Sequence, residues 1–155
     1  MQPWANTYPF LFSISVFLVL WTLVPIVISY ASGWASLASQ FRFRDTFSGS
    51  RWSWQSAQMR FMMNYNRCLT VGASEQGLYL AMNPLFRLGH PALFIPWNEV
   101  SVKPERILFF EGTRFQLGRE TPVPLWVRKK LADRLKTAAG KGWPIANLEN
   151  RPLGF

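Results

Sequence analysis

The chain has 155 residues, with 17 Lys and Arg against 8 Asp and Glu, a net charge of +9. Every charged side chain lies at or beyond Arg42, so the first 41 residues are silent. One cysteine excludes an internal disulfide, one histidine excludes a histidine-rich metal site, and the roughly 110 residues after the silent segment suffice for one small domain.

Residues 1–9 form a short flank, and residues 10–30, FLFSISVFLVLWTLVPIVISY, form an almost unbroken apolar run. As a helix this run spans about 31 Å, close to a hydrocarbon core of about 30 Å. A helix also satisfies its own backbone groups, as lipid requires. The hydroxyls of Ser13, Ser15, Thr22 and Ser29 can bond carbonyls one turn back. Pro25 removes one amide donor, so a modest kink is expected there. A secretory signal would need a basic start and a shorter core, neither of which is present, so a retained transmembrane anchor is expected.

No base precedes the run, whereas Arg42, Arg44 and Arg51 follow it. Basic flanks stay in the cytoplasm, which predicts an outside N-terminus and a cytoplasmic segment from residue 31 to residue 155. Trp4 and Tyr8 are then expected at the outer interface, and Tyr30 and Trp34 at the inner one.

In residues 31–41, Trp34, Leu37, Ala38 and Phe41 share one helical face. Two readings stand: an amphipathic helix lying along the inner interface, or one packed on the domain. Residues 42–56 read as a linker that is not purely flexible; Trp52 and Trp54 face the same way if extended, and either start the first strand or dock onto the domain edge.

From residue 57 the pattern has period two. Met59, Phe61 and Met63 alternate, and Leu69 and Val71 lead into the turn Ala73–Gly77 before Leu78, Leu80 and Met82, a β-hairpin. Residues 83–92, with two prolines and a glycine, read as a loop. Further strands are expected over 93–97, 99–103, 106–111 and 114–117, with a turn at Gly112 and closure of the region by Pro122 to Pro124. Val127, Leu131, Leu135 and Ala138 then recur at helical spacing up to Gly140, a C-cap residue. The whole is one transmembrane α-helix, then six or seven short strands in two sheets or a partly open barrel, capped by a C-terminal α-helix.

This order, with NRCLTVGASEQGLYLAM, LFRLGHPALFIPWNEV, RFQL and the closing helix, resembles bacterial single-pass membrane proteins bearing a PH-like or GRAM-like domain. The resemblance covers residues 57–140 and rests on Gly77, Leu78, Leu80, Ile95, Pro96, Trp97 and Glu99. It implies two nearly orthogonal antiparallel sheets and a place in the inner membrane. The turn Ser74-Glu75-Gln76-Gly77 carries an acid and no base, so it lacks the cationic first loop of inositide-binding relatives. Such a fold serves many binding roles and assigns none.

No enzyme is expected. His90 has no metal-ligating companion in sequence, and Cys68 has no CxxC partner or adjacent histidine. Glu99, Glu105, Glu111 and Glu120 read as surface ion-pair partners, and no phosphate-cradling loop is present. No cofactor and no nucleic-acid partner is expected.

The strongest chemical signal is the basic face Arg128, Lys129, Lys130, Arg134, Lys136 and Lys141. It is a solvated helix face, a surface for anionic lipid headgroups, or one for an acidic protein. In the tail, residues 141–155, Trp143, Ile145, Leu148 and Phe155 are candidate contacts to other subunits. The expected function is a non-catalytic accessory or scaffolding subunit of a larger respiratory, photosynthetic or transport complex. The alternative is a stand-alone tethered module for anionic lipid or an acidic protein. In sealed inside-out vesicles, protease should digest the basic segment. Digestion only in right-side-out vesicles or whole cells would reverse the orientation.

Overall fold

The computed structural model describes residues 7–144. Helix α1 (Thr7–Ser32) continues through Pro25. Its stretch Tyr8–Ser32 contains an 18-residue window with a mean hydropathy of 2.6 and is long and apolar enough to cross a membrane. As expected, Ser13 and Ser15 donate to the carbonyls of Pro9 and Leu11, each at 2.8 Å, and Thr22 donates to Leu18 at 3.1 Å. Every residue from Tyr8 to Val24 is exposed, with Trp21 touching Phe86, and from Pro25 onward one face is more deeply packed against protein.

Gly33 ends α1 with φ +88°, a left-handed conformation that β-carbon sterics disfavour. It also abuts the Val123 side chain, which a Cβ there would meet at 2.9 Å. The chain turns here into α2 (Trp34–Phe41), whose Trp34 and Leu37 are buried in the domain core. Of the two readings of this segment, packing on the domain is the one observed.

Seven strands follow: β1 (Ser50–Met59), β2 (Met63–Ala73), β3 (Gly77–Met82), β4 (Leu93–Pro96), β5 (Val100–Ile107), β6 (Phe110–Leu117) and β7 (Val123–Arg128). They form one antiparallel sheet in the order β4-β3-β2-β1-β7-β6-β5, curled into a half-barrel. The β2–β3 hairpin has the expected turn, pairing Ala73 with Leu78 and Leu69 with Met82. Helix α3 (Lys129–Ala139) lays Leu131, Ala132, Leu135 and Ala139 over the barrel interior. The architecture expected from the sequence, a long apolar helix and then a mainly-β, partly open barrel with a C-terminal helical cap, is the one observed.

The two short helices close opposite ends of the strands. Strand β7 starts at Val123, against Gly33 and near α2, and ends at Arg128, where α3 begins. At the first end Leu37 and Phe41 approach Gly118; at the other, Gly140 and Gly142 approach Glu75 in the β2–β3 turn. Inward residues of both halves, such as Leu69, Leu80, Ile95, Phe115 and Leu125, fill the space between the caps and are fully buried. The corner from β4 to β5 is fastened by the Trp97 indole, which donates to the Ser74 carbonyl at 2.8 Å.

Several expectations are corrected. Over residues 42–56 the linker reading gives way to its alternative: Phe43 and Phe47 pack on Tyr79 and Phe94, and Trp52 and Trp54 lie on the first strand, which begins at Ser50. Trp52 and Trp54 do not share a face, because the β1–β2 register shifts between Trp52 and Gln55 and Trp54 takes φ 59°. Phe61 leaves the strand pattern for a 3₁₀ turn over Arg60–Met62.

The turn expected at Gly112 lies instead at Leu108-Phe109. Gly112 is mid-strand, where a Cβ would collide with the Trp126 indole from β7. Pro122 to Pro124 do not close the sheet: Val123, Leu125 and Val127 alternate inward on a seventh strand, and the helix starts only at Lys129.

Trp34, expected at the inner interface, has 0% exposure and donates its indole proton to the Pro91 carbonyl at 2.9 Å. Its ring is enclosed by Tyr65 and His90 and does not meet headgroups. In the detergent-solubilised full chain, Trp34→Ala should lower unfolding free energy by about 3–5 kcal/mol, as removal of a buried Trp does. Tyr30→Ala, at an exposed position, should change it by no more than about 0.5 kcal/mol. Equal, small effects in denaturant unfolding would show that Trp34 is not a core residue.

Candidate functional site

The chemistry-bearing side chains gather at the two ends of the barrel. At the first end, α1 is fixed to the domain by three contacts distant in sequence. Ser29 donates to the Gly89 carbonyl at 2.5 Å, Trp21 meets the Phe86 ring at 5.8 Å between centroids, and a Cβ on Gly89 would stand 3.1 Å from the Ile26 backbone. Between α1 and the sheet lies a groove of about 510 Å³. Trp21, Val24, Ile28, Met63, Met82 and Phe86 give it apolar walls, and Tyr65, Cys68 and His90 reach its inner side. Its size suits a small-molecule or lipid fragment.

Under the groove is a buried polar chain. The Tyr65 hydroxyl lies 2.8 Å from Ser32 Oγ and 3.1 Å from Nε2 of His90, and Nδ1 of His90 lies 3.0 Å from the Leu88 carbonyl. A carbonyl only accepts, so Nδ1 carries a proton and donates it. Burial lowers the His90 pKa, opposed by the Leu88 hydrogen bond, so the neutral ring is favoured and Nε2 carries no proton. The Tyr65 hydroxyl donates to Ser32, which donates in turn to the Ser29 carbonyl at 3.3 Å, and Nε2 of His90 faces the same Tyr65 hydroxyl.

The same burial pushes the Tyr65 phenol up to about 12, so it remains a neutral donor. It raises the Cys68 thiol as well, which keeps the sulfur protonated and weakly nucleophilic. The network joins α1, β2 and the 84–90 loop. His90 therefore supports this junction as a buried, hydrogen-bonded residue.

At the opposite end stands the basic face. Arg128, Lys129, Lys130, Arg134, Lys136 and Lys141 are all exposed. Arg128 lies over the Phe110 ring, 4.8 Å from its centroid, and Lys129 Nζ is 3.6 Å from Glu111. Glu111 also accepts from Arg106 at 2.9 Å, and these cations hold its carboxyl below the usual range. Among the described residues, Lys130, Arg134, Lys136 and Lys141 form no ion pair. Beside them the β5–β6 turn thrusts out Leu108, Phe109 and Phe110, with Phe109 94% exposed.

Of the expected interface residues, Tyr8 and Tyr30 are exposed on α1, Trp34 is internal, and Trp4 lies outside the described residues. Trp143 is half-buried, packed edge-on to Phe115 and tilted against Trp97. It serves this domain's own packing. Ile145, Leu148 and Phe155 lie outside the described residues.

Glu99 and Glu105, both half-buried, pair with Arg119 and Arg114. Among the described residues, no three His, Cys, Asp or Glu gather closely enough to hold a metal ion. The exposed tip and the groove were not foreseen. ILFFEG signalled the tip, for it places three large apolar residues at a strand reversal.

No protein-family model matches the chain, and neither a curated protein nor a solved structure is significantly similar to it.

The depressed His90 pKa sets a pH dependence. As pH falls past about 6.5, the unfolded state takes up this proton before the folded state does. Stability is therefore unaffected by this group at higher pH and declines below that point until the folded pKa is reached. His90→Gln should shrink the fall in melting temperature between about pH 7.5 and about pH 5.5. An unchanged pH difference in the variant would refute the neutral, buried assignment.

Proposed function

We propose that this protein is a non-catalytic accessory subunit of a larger integral membrane complex. In this reading α1 fastens it to the bacterial inner membrane, and its domain presents a docking surface on the cytoplasmic side. The observation that carries the proposal is the Leu108–Phe110 tip, standing beside unpaired bases at the barrel end remote from α1. Aromatic side chains at the centre of a cationic surface suit a protein partner with an apolar pocket and an acidic rim.

Position argues against bilayer lipid as the partner of this face. Arg128 lies five residues along β7 from Val123, about 17 Å from the end that meets Gly33. The junction at Ser29, Ser32 and Trp34 is packed and hydrogen-bonded, and does not let the domain swing its far end back to the membrane. The proposed orientation also gains from space what it lacked in sequence. Arg60 sits beside the end of α1 without being near it in the chain, so the positive charge at its C-terminal side exceeds that of Arg42, Arg44 and Arg51 alone.

Extraction in mild detergent, size separation and mass identification should yield companion chains in fixed ratio. Phe109→Asp should weaken that association by roughly 30-fold, as loss of a contact worth about 2 kcal/mol does. Lys130→Glu with Arg134→Glu should make it weaker still and less salt-sensitive. A lone monomer that binds anionic vesicles would instead support the stand-alone module.

A further inference from the structure

The first end of the barrel carries a surface that the docking role does not use. With Tyr8 at the outer interface, a hydrocarbon core of about 30 Å extends to about residue 28 of α1. Phe86 touches Trp21, and Gly89 lies against Ile26. The 84–89 loop therefore stands alongside helix that must be within, or at the edge of, the hydrocarbon layer. Its side chains suit that depth: Leu85 and Leu88 are exposed, as are Phe61 and Met62 on the neighbouring 3₁₀ turn, with Phe61 at 80%. In water these residues would form an unexplained apolar patch, whereas in lipid they are solvated.

Bases are interleaved with them. Arg60 precedes Phe61, Arg67 precedes the groove residue Cys68, and Arg87 follows the groove residue Phe86. None of the three arginines forms an ion pair among the described residues, and no acid lines the groove. The Arg60 guanidinium lies beside the C-terminal end of α1, its carbon 3.4 Å from where a Cβ on Gly33 would stand. There it also meets the negative end of the helix dipole.

We infer that the groove between α1 and the sheet seats one acyl chain of an anionic phospholipid, whose headgroup is held by Arg67 and Arg87, the exposed bases next in sequence to the groove residues Cys68 and Phe86. One groove wall is the apolar helix itself, so the groove is continuous with the bilayer and a chain enters it sideways without crossing water. Guanidinium groups are the side chains best suited to a phosphate oxygen pair at such a boundary. The inference rests on α1 spanning the membrane and is independent of the docking role at the far end.

The test uses the full chain in nanodiscs containing phosphatidylglycerol with a photoreactive group on its acyl chain. Peptide mapping should find adducts on Met63, Cys68 or Met82 as well as on the outward residues of α1. Arg67→Gln with Arg87→Gln should lower groove labelling by roughly 25-fold, each base near a lipid surface supplying about a fivefold factor. The labelling should also exceed that from the matching phosphatidylcholine probe. Cys68→Phe, which fills the groove from a half-exposed position, should lower labelling by both probes while the melting temperature shows a folded domain.

Adducts on α1 but none in the groove would overturn the inference and leave the membrane anchor standing. Groove labelling that ignores both headgroup and arginines would overturn it too. No labelling of α1 at all would sink the anchor itself.

Discussion

The structure depends on the way the end of α1 is built into the domain. Trp34 is not an interface residue after a membrane helix but part of the barrel's core, shut in by Tyr65, His90 and the Pro91 carbonyl. One turn earlier, Ser29 and Ser32 are tied to the 84–90 loop and to Tyr65. A buried tryptophan is worth several kcal/mol, and orphaning a buried polar partner costs about 1–3 kcal/mol. Helix and domain therefore move as one body, and the position of the helix in a bilayer sets the position of every surface on the domain.

That constraint divides the exterior into two ends of different chemistry. The end beside α1 carries apolar loops, three arginines and an apolar groove, chemistry suited to the boundary between acyl chains and phosphate. The far end carries an aromatic tip and a helix whose Lys130, Arg134 and Lys136 form no ion pair among the described residues, chemistry of the kind the proposed protein partner would meet. A flexible linker would have let either end meet either partner. The packing of Phe43 and Phe47 on Tyr79 and Phe94 leaves no such linker.

Where the sequence was readable, it was readable through local period. The apolar run, the β2–β3 hairpin and the helix over Leu131 and Leu135 each repeat their burial along the chain, and each was found. The misreadings fall where a tertiary contact outweighs a local signal. Gly112 resembles a turn residue but makes room for the Trp126 indole from the next strand. Pro124 resembles a strand breaker but is tolerated in β7, where its neighbours Val123 and Leu125 still point inward and the only β1 pairing is through Trp126.

By itself the sequence determined the class of object: an uncharged apolar rod followed by a basic, mostly β domain with a helical cap. Charge exclusion and periodicity are properties of neighbouring residues, and neighbours suffice to express them. Only the tertiary structure decided which aromatic rings are core and which are surface, what His90 bonds to, and where the groove lies. Those outcomes depend on pairs such as Ser29 with Gly89 and Trp34 with Pro91, almost sixty residues apart in the chain. A contact over that distance is set by how the sheet curls, and curling leaves no mark on the local order of apolar and polar residues.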